Sequence, residues 1–425
     1  MSDASYRIVL NKQNWNGQAT HLRSTLMTWD WRWRQAAAGA ILDFSNVEFM
    51  EPWALAMFCA FGSKLRADGA AVVVELDPTN PCNKYLEAMG LREVIERGAS
   101  SDRWDESTQN TGLHVLRRHS DVTRFVDSAA RLGLPAESGA LDALQYGMAE
   151  LGRNVIQHAN SAIGGIAIAQ RFPELHAVQI AICDCGRGVR QSLKQNYPEV
   201  SSDLEALRVA VLPHVSGAAP SGPYGSSVNA GLGLFFCREI SHRAGGSFWI
   251  ASQGGLLGVI GDESATGRRM YRRINAWDGT LVVMHFPEDL VVEFDDVLGV
   301  CRELAALARS EPSRVGLEFI DDHSDIEIEQ ADVIDVSSFL EDVEKAEQTR
   351  SLHIMPRLEA GRQTIIDFGQ PRFVTQSFVH ALLYAAFLVP GSLSKLMFKG
   401  CTKSTQEAIR LVAAYSKVNY RQAPL

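Results

Sequence analysis

Short apolar runs alternate with segments of helical period over the first hundred residues. "YRIVL" from Tyr6 and "AAVVVEL" from Ala70 have the length of strands, and "AAGAILDFSNVEF" from Ala37 reads as a buried strand ending in a turn. "EPWALAMFCAFGSKLRADG" reads as a helix closed by Gly69, and "NPCNKYLEAMGLREVI" supplies a second helix. Strands separated by single helices predict an α/β unit over residues 1–100. The polar stretch 101–118, "SDRWDESTQNTGLHVLRR", reads as a linker, and a second α/β region follows over 119–290. Within it "AELGRNVIQHAN", Ala149 to Asn160, is an amphipathic helix and "VQIAICD" a buried strand, while "VSGAAPSGPYGSSVNAG" has the composition of a loop. Residues 291–350 read as a helical and then strongly acidic connection. Residues 351–425 return to the alternation with "RQTIIDFG", "QSFVHALLYAAFLV", "SKLMFKG" and "TQEAIRLVAAYSKV". Two stretches echo one another, "ILDFSNVEFMEPWALAMF" and "IIDFGQPRFVTQSFVHAL".

Composition narrows the class of protein. At 425 residues the chain predicts two or three domains, and 46% hydrophobic with 21% charged residues is a globular balance. A net charge of −9 argues against nucleic acid as a partner. The one basic stretch, "RRMYRRINAW" from Arg268, is expected to be a solvated strand edge. The longest apolar run, Phe378 to Val389, is shorter than a membrane span and interrupted by His380. The opening "MSDASYRIVLNKQNWNG" lacks the basic start and apolar core of an export signal. Seven scattered cysteines suit a reducing compartment, so the expected location is the cytoplasm, with no membrane contact. Cys183 and Cys185 form the one close pair, without further ligands at metal-binding spacing.

Chemistry concentrates in the middle region. Glu150, Asn154 and His158 recur every four residues, which stacks them along one stripe of a helix otherwise lined by Leu151, Val155, Ile156 and Ala159. The strand "VQIAIC" runs into Asp184-x-Gly186-x-Gly188. Gly231 and Gly233 open a further helix through "GLGL", and Gly279-Thr280 precedes the last strand. Singly these are weak signals: a Glu-x-x-x-Asn pair is a common helix surface, and Asp184 is suited to capping a turn. No dinucleotide fingerprint and no P-loop accompanies them.

In this order and spacing the motifs resemble the GHKL superfamily, the ATPase fold of type II topoisomerases, mismatch-repair ATPases, histidine kinases and anti-sigma-factor serine kinases. The resemblance covers residues 119–290 and implies a two-layer α/β sandwich of the Bergerat type, with a mobile lid over about 189–230. It implies ATP and Mg²⁺ as ligands, with Asn154 supplying the magnesium's hard oxygen ligand. Glu150, one turn earlier, is then placed to orient or deprotonate an attacking water or hydroxyl. Histidine kinases usually carry Asn at that position, so Glu150 points to hydrolysis or to serine phosphorylation. Asp184, an acceptor-only carboxylate, suits the amino group of adenine, and guanine would leave a polar group unpaired at a cost of about 1–3 kcal/mol. Gly186 and Gly188 would let the backbone turn under the base, and Thr280 would support the same contact. Gly231, Leu232, Gly233 and Leu234 would offer free amides to the phosphates. His158 matches a basic position of the family's helix and is expected to be structural.

The first unit resembles a STAS domain, the fold of anti-sigma-factor antagonists, through "LDFSNVEFMEPWALAMF". It departs where the family carries its phosphoacceptor serines: Pro52 and Trp53 stand there, and Trp53 cannot be phosphorylated. That unit is therefore expected to dock or pack. The echo in 351–425 resembles the same element, with Ser377 at the acceptor position; a helix N-cap is the ordinary alternative for this serine. Three functions follow as expectations. The first is an ATPase that switches conformation or partner binding in bacterial signalling. The second is a serine/threonine kinase acting on a STAS-like protein or on Ser377, and the third an ATP-binding scaffold that does not hydrolyse. A regulatory protein partner, STAS-like or other, and a homodimer belong to the same expectation.

Overall fold

A computed structural model describes residues 6–10, 14–15, 19–28, 39–100, 109–135, 139–213 except 199, 215, 231–261, 268–288, 294–307, 317–320, 332–389 except 372, 392, and 395–420. The chain is a mixed α/β protein, with four sheets among the described residues. It divides into two units, one of Met1–Val211 with Ser241–Val291 and one of Leu212–Ile240 with Val292–Leu425.

The first unit opens with strands β1 (Tyr6–Val9) and β2 (Asn14–Trp15), helix α1 (Ala19–Thr28), and strands β3 (Gly39–Asp43) and β4 (Phe49–Met50). Helix α2 (Pro52–Ala67), strand β5 (Ala71–Glu75) and helix α3 (Pro81–Ala88) follow. β1, β3 and β5 form a parallel sheet in the order β1-β3-β5, and β2 pairs with β4. Parallel neighbours need a crossover, which α2 supplies between β3 and β5. Its sequence explains its fate. Pro52 at the first helical position presets φ, and Ala, Leu, Met and Phe fill the helix on every side, so it must be covered on more than one face. From Pro52 to Ser63 every residue is buried. Gly69, at φ +96°, ends the helix where a side chain would be strained.

The second cover is a five-stranded antiparallel sheet of order β6-β7-β8-β10-β9, made of β6 (His114–Leu116), β7 (Gly165–Phe172), β8 (Ala177–Asp184), β9 (Ser247–Ile260) and β10 (Arg268–Pro287). Strand side chains alternate between faces. Ala181, Cys183 and the following Cys185 share one apolar core with Trp53, Ala56 and Ala60 of α2. Gln179, on that same face, is fixed to the helix start: it donates to Glu51 Oε2 at 2.7 Å and accepts from Trp53 N at 3.2 Å. The other face carries α4 (His119–Asp127) and α5 (Ala140–Asn154); a Cβ added to Gly147 of α5 would lie 2.9 Å from Met284 Sδ and 3.1 Å from Ile180 Cδ1. The expected linker 101–118 contributes to this sheet. Asn110 bridges Gln170, Thr111 bonds to Ala169 through backbone and hydroxyl, and β6 pairs with β7. Residues 101–108 of it lie outside the described residues.

Helices α6 (Gly188–Leu193) and α7 (Asp203–Ala210) complete the first unit, and α8 (Gly233–Arg243) starts in the second. The second unit continues with α9 (Phe294–Leu307), β11 (Glu318–Ile320), β12 (Asp332–Asp335), α10 (Val343–Thr349), α11 (Met355–Glu359), β13 (Thr364–Asp367), α12 (Gln376–Leu388), β14 (Leu396–Lys399) and α13 (Lys403–Tyr420). Its parallel sheet has the order β11-β14-β13-β12. Two strands and two helices therefore come from the expected connection 291–350. Its acidic residues have structural duties: Asp342 caps α10 by accepting from Lys345 N, and Asp332 faces Arg357 and Arg362. Among the described residues no helix is long and apolar enough to cross a membrane.

The echoed sequences fold alike, in register and without a gap. Asp43 and Asp367 end equivalent strands 324 positions apart, and Pro52 and Gln376 begin equivalent helices at the same spacing. Each aspartate accepts from the amide two residues on, Ser45 N at 3.0 Å and Gly369 N at 2.9 Å. Phe44 N bonds Glu75 O as Phe368 N bonds Lys399 O, and Leu10 N bonds Asp43 O as Val336 N bonds Asp367 O.

Candidate functional site

Helix α5 does not end as a plain α-helix. After Asn154 it widens into a π turn, Val155–Ala159, and stops at Asn160 in the left-handed region, φ +49°. Such turns occur mostly as single insertions and often at functional positions. The carbonyls at this end need donors. Arg187 supplies them, its backbone N bonding Ala159 O at 2.9 Å and its Nε bonding His158 O at 2.7 Å. Those bonds seat the turn after β8 on the end of the helix. His158 is held neutral: burial, and then the charge of Arg187, push its pKa down to about 4.

Asp184 occupies the last position of β8 and is buried. Its Oδ1 accepts from Gly186 N at 2.8 Å, and the backbone of Thr280 also donates to it. Burial outweighs both bonds and pushes its pKa up to about 7. The glycines around it are required by the protein's own packing. A Cβ on Gly186 would stand 2.0 Å from Ala159 O, and one on Gly279, at φ +130°, 2.0 Å from Asp184 O. At Gly188, φ +73°, it would meet Ser252 Oγ at 2.9 Å. Ser252, opposite Thr280 in the β9–β10 register, ties these pieces together and was not legible as a site residue. Its hydroxyl donates to Gly279 O at 2.8 Å and accepts from Val189 N at 2.9 Å. With that proton committed, Thr280 Oγ1 is the donor in the longer 3.3 Å contact to Ser252 Oγ.

Glu150 and Asn154 lie on α5, on the side of Gly147 that meets the sheet by helical spacing. Glu150 is 1% exposed and Arg153 2%, with Arg153 Nη2 3.3 Å from Glu150 Oε1. The sequence reading counted Glu150 as a base and passed over this arginine. Asn154 is half-buried, and its Nδ2 has no hydrogen-bond partner among the described residues. Its amide is thus uncommitted, and the two ends of an amide are exchanged by a simple flip. A single neutral oxygen donor fits a magnesium ion whose remaining ligands are phosphates and water. It does not fit a resident all-protein metal site, and among the described residues no group of three His, Cys, Asp or Glu could hold one. Cys59, Cys183 and Cys185 are buried thiols whose pKa values burial pushes well up, so they behave as small apolar residues.

The structure thus brings Asp184, Gly186, Gly188 and Thr280 together at the end of the helix that carries Glu150 and Asn154. The remaining expected residues belong to the second unit. Gly231 is left-handed at φ +64°, and a Cβ there would be 2.5 Å from Val215 O. Leu232 is buried and accepts from Phe236 N; α8 then begins at Gly233, with Leu234 in its first turn. The first half of the expected lid, 189–230, carries most of α6 and all of α7. Asp203 at the start of α7 accepts from Gly254 N at 3.1 Å, which binds that helix to β9. Residues 216–230 lie outside the described residues. Ser377 is not an N-cap: Thr375 caps α12, its hydroxyl accepting from Phe378 N at 3.3 Å, and Ser377 sits half-buried in the first turn.

No profile of a known protein family matches this chain, and no curated protein matches it significantly.

Proposed function

We propose that this chain binds Mg-ATP at a site of the GHKL kind and hydrolyses it to switch a regulatory protein partner. One observation carries the proposal: a buried carboxylate, Asp184, closed in by Gly186 and Thr280 and seated on the end of the helix that bears Glu150 and Asn154. An acceptor held in low dielectric beside a glycine turn is what an adenine amino group requires. The antiparallel five-stranded sheet with α4 and α5 on one face supports the Bergerat-type reading, and the two parallel β–α–β elements support the STAS-like reading of the flanks. In this proposal Asn154 would hold the nucleotide's magnesium, which supplies charge neutralisation at the phosphates. Glu150 takes a proton from the attacking water as its oxygen bonds the γ-phosphorus; the bond to the bridging oxygen breaks and ADP leaves with that electron pair.

Thermal unfolding with Mg-ATP and Mg-GTP tests the binding. ATP at about a hundred times its Kd is expected to add roughly 2.7 kcal/mol of stability. No shift, or an equal shift with GTP, would sink the assignment, and Asp184→Asn should abolish the preference. The kinase reading has one observation in its favour. Ser377 stands where the first copy has Trp53, yet is only half-buried while Trp53 is fully buried. Incubation with γ-labelled ATP separates the two: label on the chain that Ser377→Ala removes supports the kinase, and free phosphate alone supports the switch.

A further inference from the structure

We infer that Arg153 is the positioning residue for Glu150, an inference that rests on the ATP-hydrolysing reading of the site. Both side chains are almost wholly withdrawn from solvent on one helix, three residues apart, with the guanidinium 3.3 Å from one carboxylate oxygen. A buried ion pair is a poor source of stability, because desolvating two charges offsets most of their attraction. Burying an arginine at this point therefore calls for a different explanation than fold stability. Its neighbours supply one. Gly152, between the two, admits no side chain, since a Cβ would lie 2.9 Å from Val122 Cγ1 of α4. Gly147, one turn before Glu150, is pressed on Met284 and Ile180 in the same way. The backbone that carries the pair is thus clamped between α4 and the sheet, so neither side chain gains a new position by the helix shifting. On that fixed helix, the guanidinium charge 3.3 Å from Oε1 draws that oxygen toward Arg153 and so turns the other toward the reacting side. A base must present one oxygen toward the water it deprotonates, and a misplacement of about 1 Å can cost on the order of a hundredfold. A lysine would keep the charge but hold it less firmly in place.

The test is a double-mutant cycle on the full chain, reading ATP affinity and single-site turnover separately. Arg153→Met is expected to lower kcat by about ten- to a hundredfold with the Kd for Mg-ATP within about twofold of the parent. Arg153→Lys should recover part of the loss. In a Glu150→Gln background, Arg153→Met should change the residual turnover no further, because a residue acting through Glu150 has nothing left to position. That double variant also lacks the unpaired buried charge, which keeps the measurement available if the single variant fails to fold. Unchanged kcat in Arg153→Met, additive losses in the cycle, or equal losses of binding and turnover would each overturn the inference. A parent chain that binds ATP but turns none over removes Glu150's role and Arg153's with it. A parent that does not bind ATP removes the underlying reading, so the two failures are told apart.

Discussion

Two strand–turn–helix copies in this chain share a backbone but hold their turns by different means. In the first, α3 reaches back with two asparagines: Asn80 donates to Ser45 O and Val47 O, and Asn83 to Phe44 O. In the second, the position of Asn80 is Ser404, and α9 intervenes instead. Arg302, buried, donates to Ser404 through its backbone and hydroxyl oxygens and to Val374 O at 3.1 Å. The helix starts differ as well. Glu51 makes no side-chain cap and is engaged with Gln179 of β8, while Thr375 caps its own helix. The common parts are the apolar strand, the aspartate turn and the apolar helix. Those fix the path of the chain, and whichever polar side chain comes within reach closes the turn. The first copy is spent on covering a sheet, and the second retains a serine in the first turn of its helix.

Substitutions at matched positions should break that comparison unequally. The largest effect is expected from Trp53→Ala, which empties a fully buried site and should cost about 3–5 kcal/mol, whereas Ser377→Ala should stay within about 0.5 kcal/mol. Urea unfolding of the two variants checks this, and similar losses would mean that the copies are built alike. Next comes Arg302→Met, which leaves Val374 O and Ser404 O without their donor and should cost about 2–4 kcal/mol. Asn83→Leu in the first copy should cost less, because Asn80 still serves the same turn. Thr375→Ala should cost about 1 kcal/mol through its cap.

The pH dependence of the first unit is a separate test, because Asp184 and His158 both lie in it. Asp184 has a folded pKa of about 7 against an ordinary value near 3.9, so its protonated form favours folding. That contribution is fully present below about pH 4 and is lost as pH rises through 7. Asp184→Asn should therefore gain in stability over the parent as pH rises from 4 to 8. His158 works in the opposite sense, since its folded pKa of about 4 lies below the ordinary 6.5, and stability falls as pH falls between these values. His158→Gln should flatten that acid limb in unfolding curves taken from pH 7 to pH 4.

How much of this was legible in the sequence depends on which force set each feature. The echoed copies were legible because an apolar strand, an aspartate and an apolar helix leave a strong pattern. The Asp184 turn was legible as well, through its glycines. The contribution of 109–116 to the central sheet was not, because Asn110 and Thr111 enter it through side-chain bonds and look like linker. The partnership of α2 with β8 left only one trace, Gln179 inside an otherwise apolar strand, and that signal needs the partner to be understood. Arg153 gave no signal of its own in the sequence. Only the close approach of α4 and the sheet at Gly152 and Gly147 shows how little room remains around it.

Asp184 also has a consequence for heat and buffer. With a pKa of about 7, Asp184 is present at neutral pH in both its protonated and its ionised form. On the proposed reading, an adenine amino group favours the ionised form as its acceptor, so nucleotide binding near neutral pH should release protons. In that proposal the enthalpy of Mg-ATP binding should vary with the ionisation heat of the buffer near pH 7, and calorimetry at pH 9, where the carboxylate is mostly ionised, should show less of that dependence.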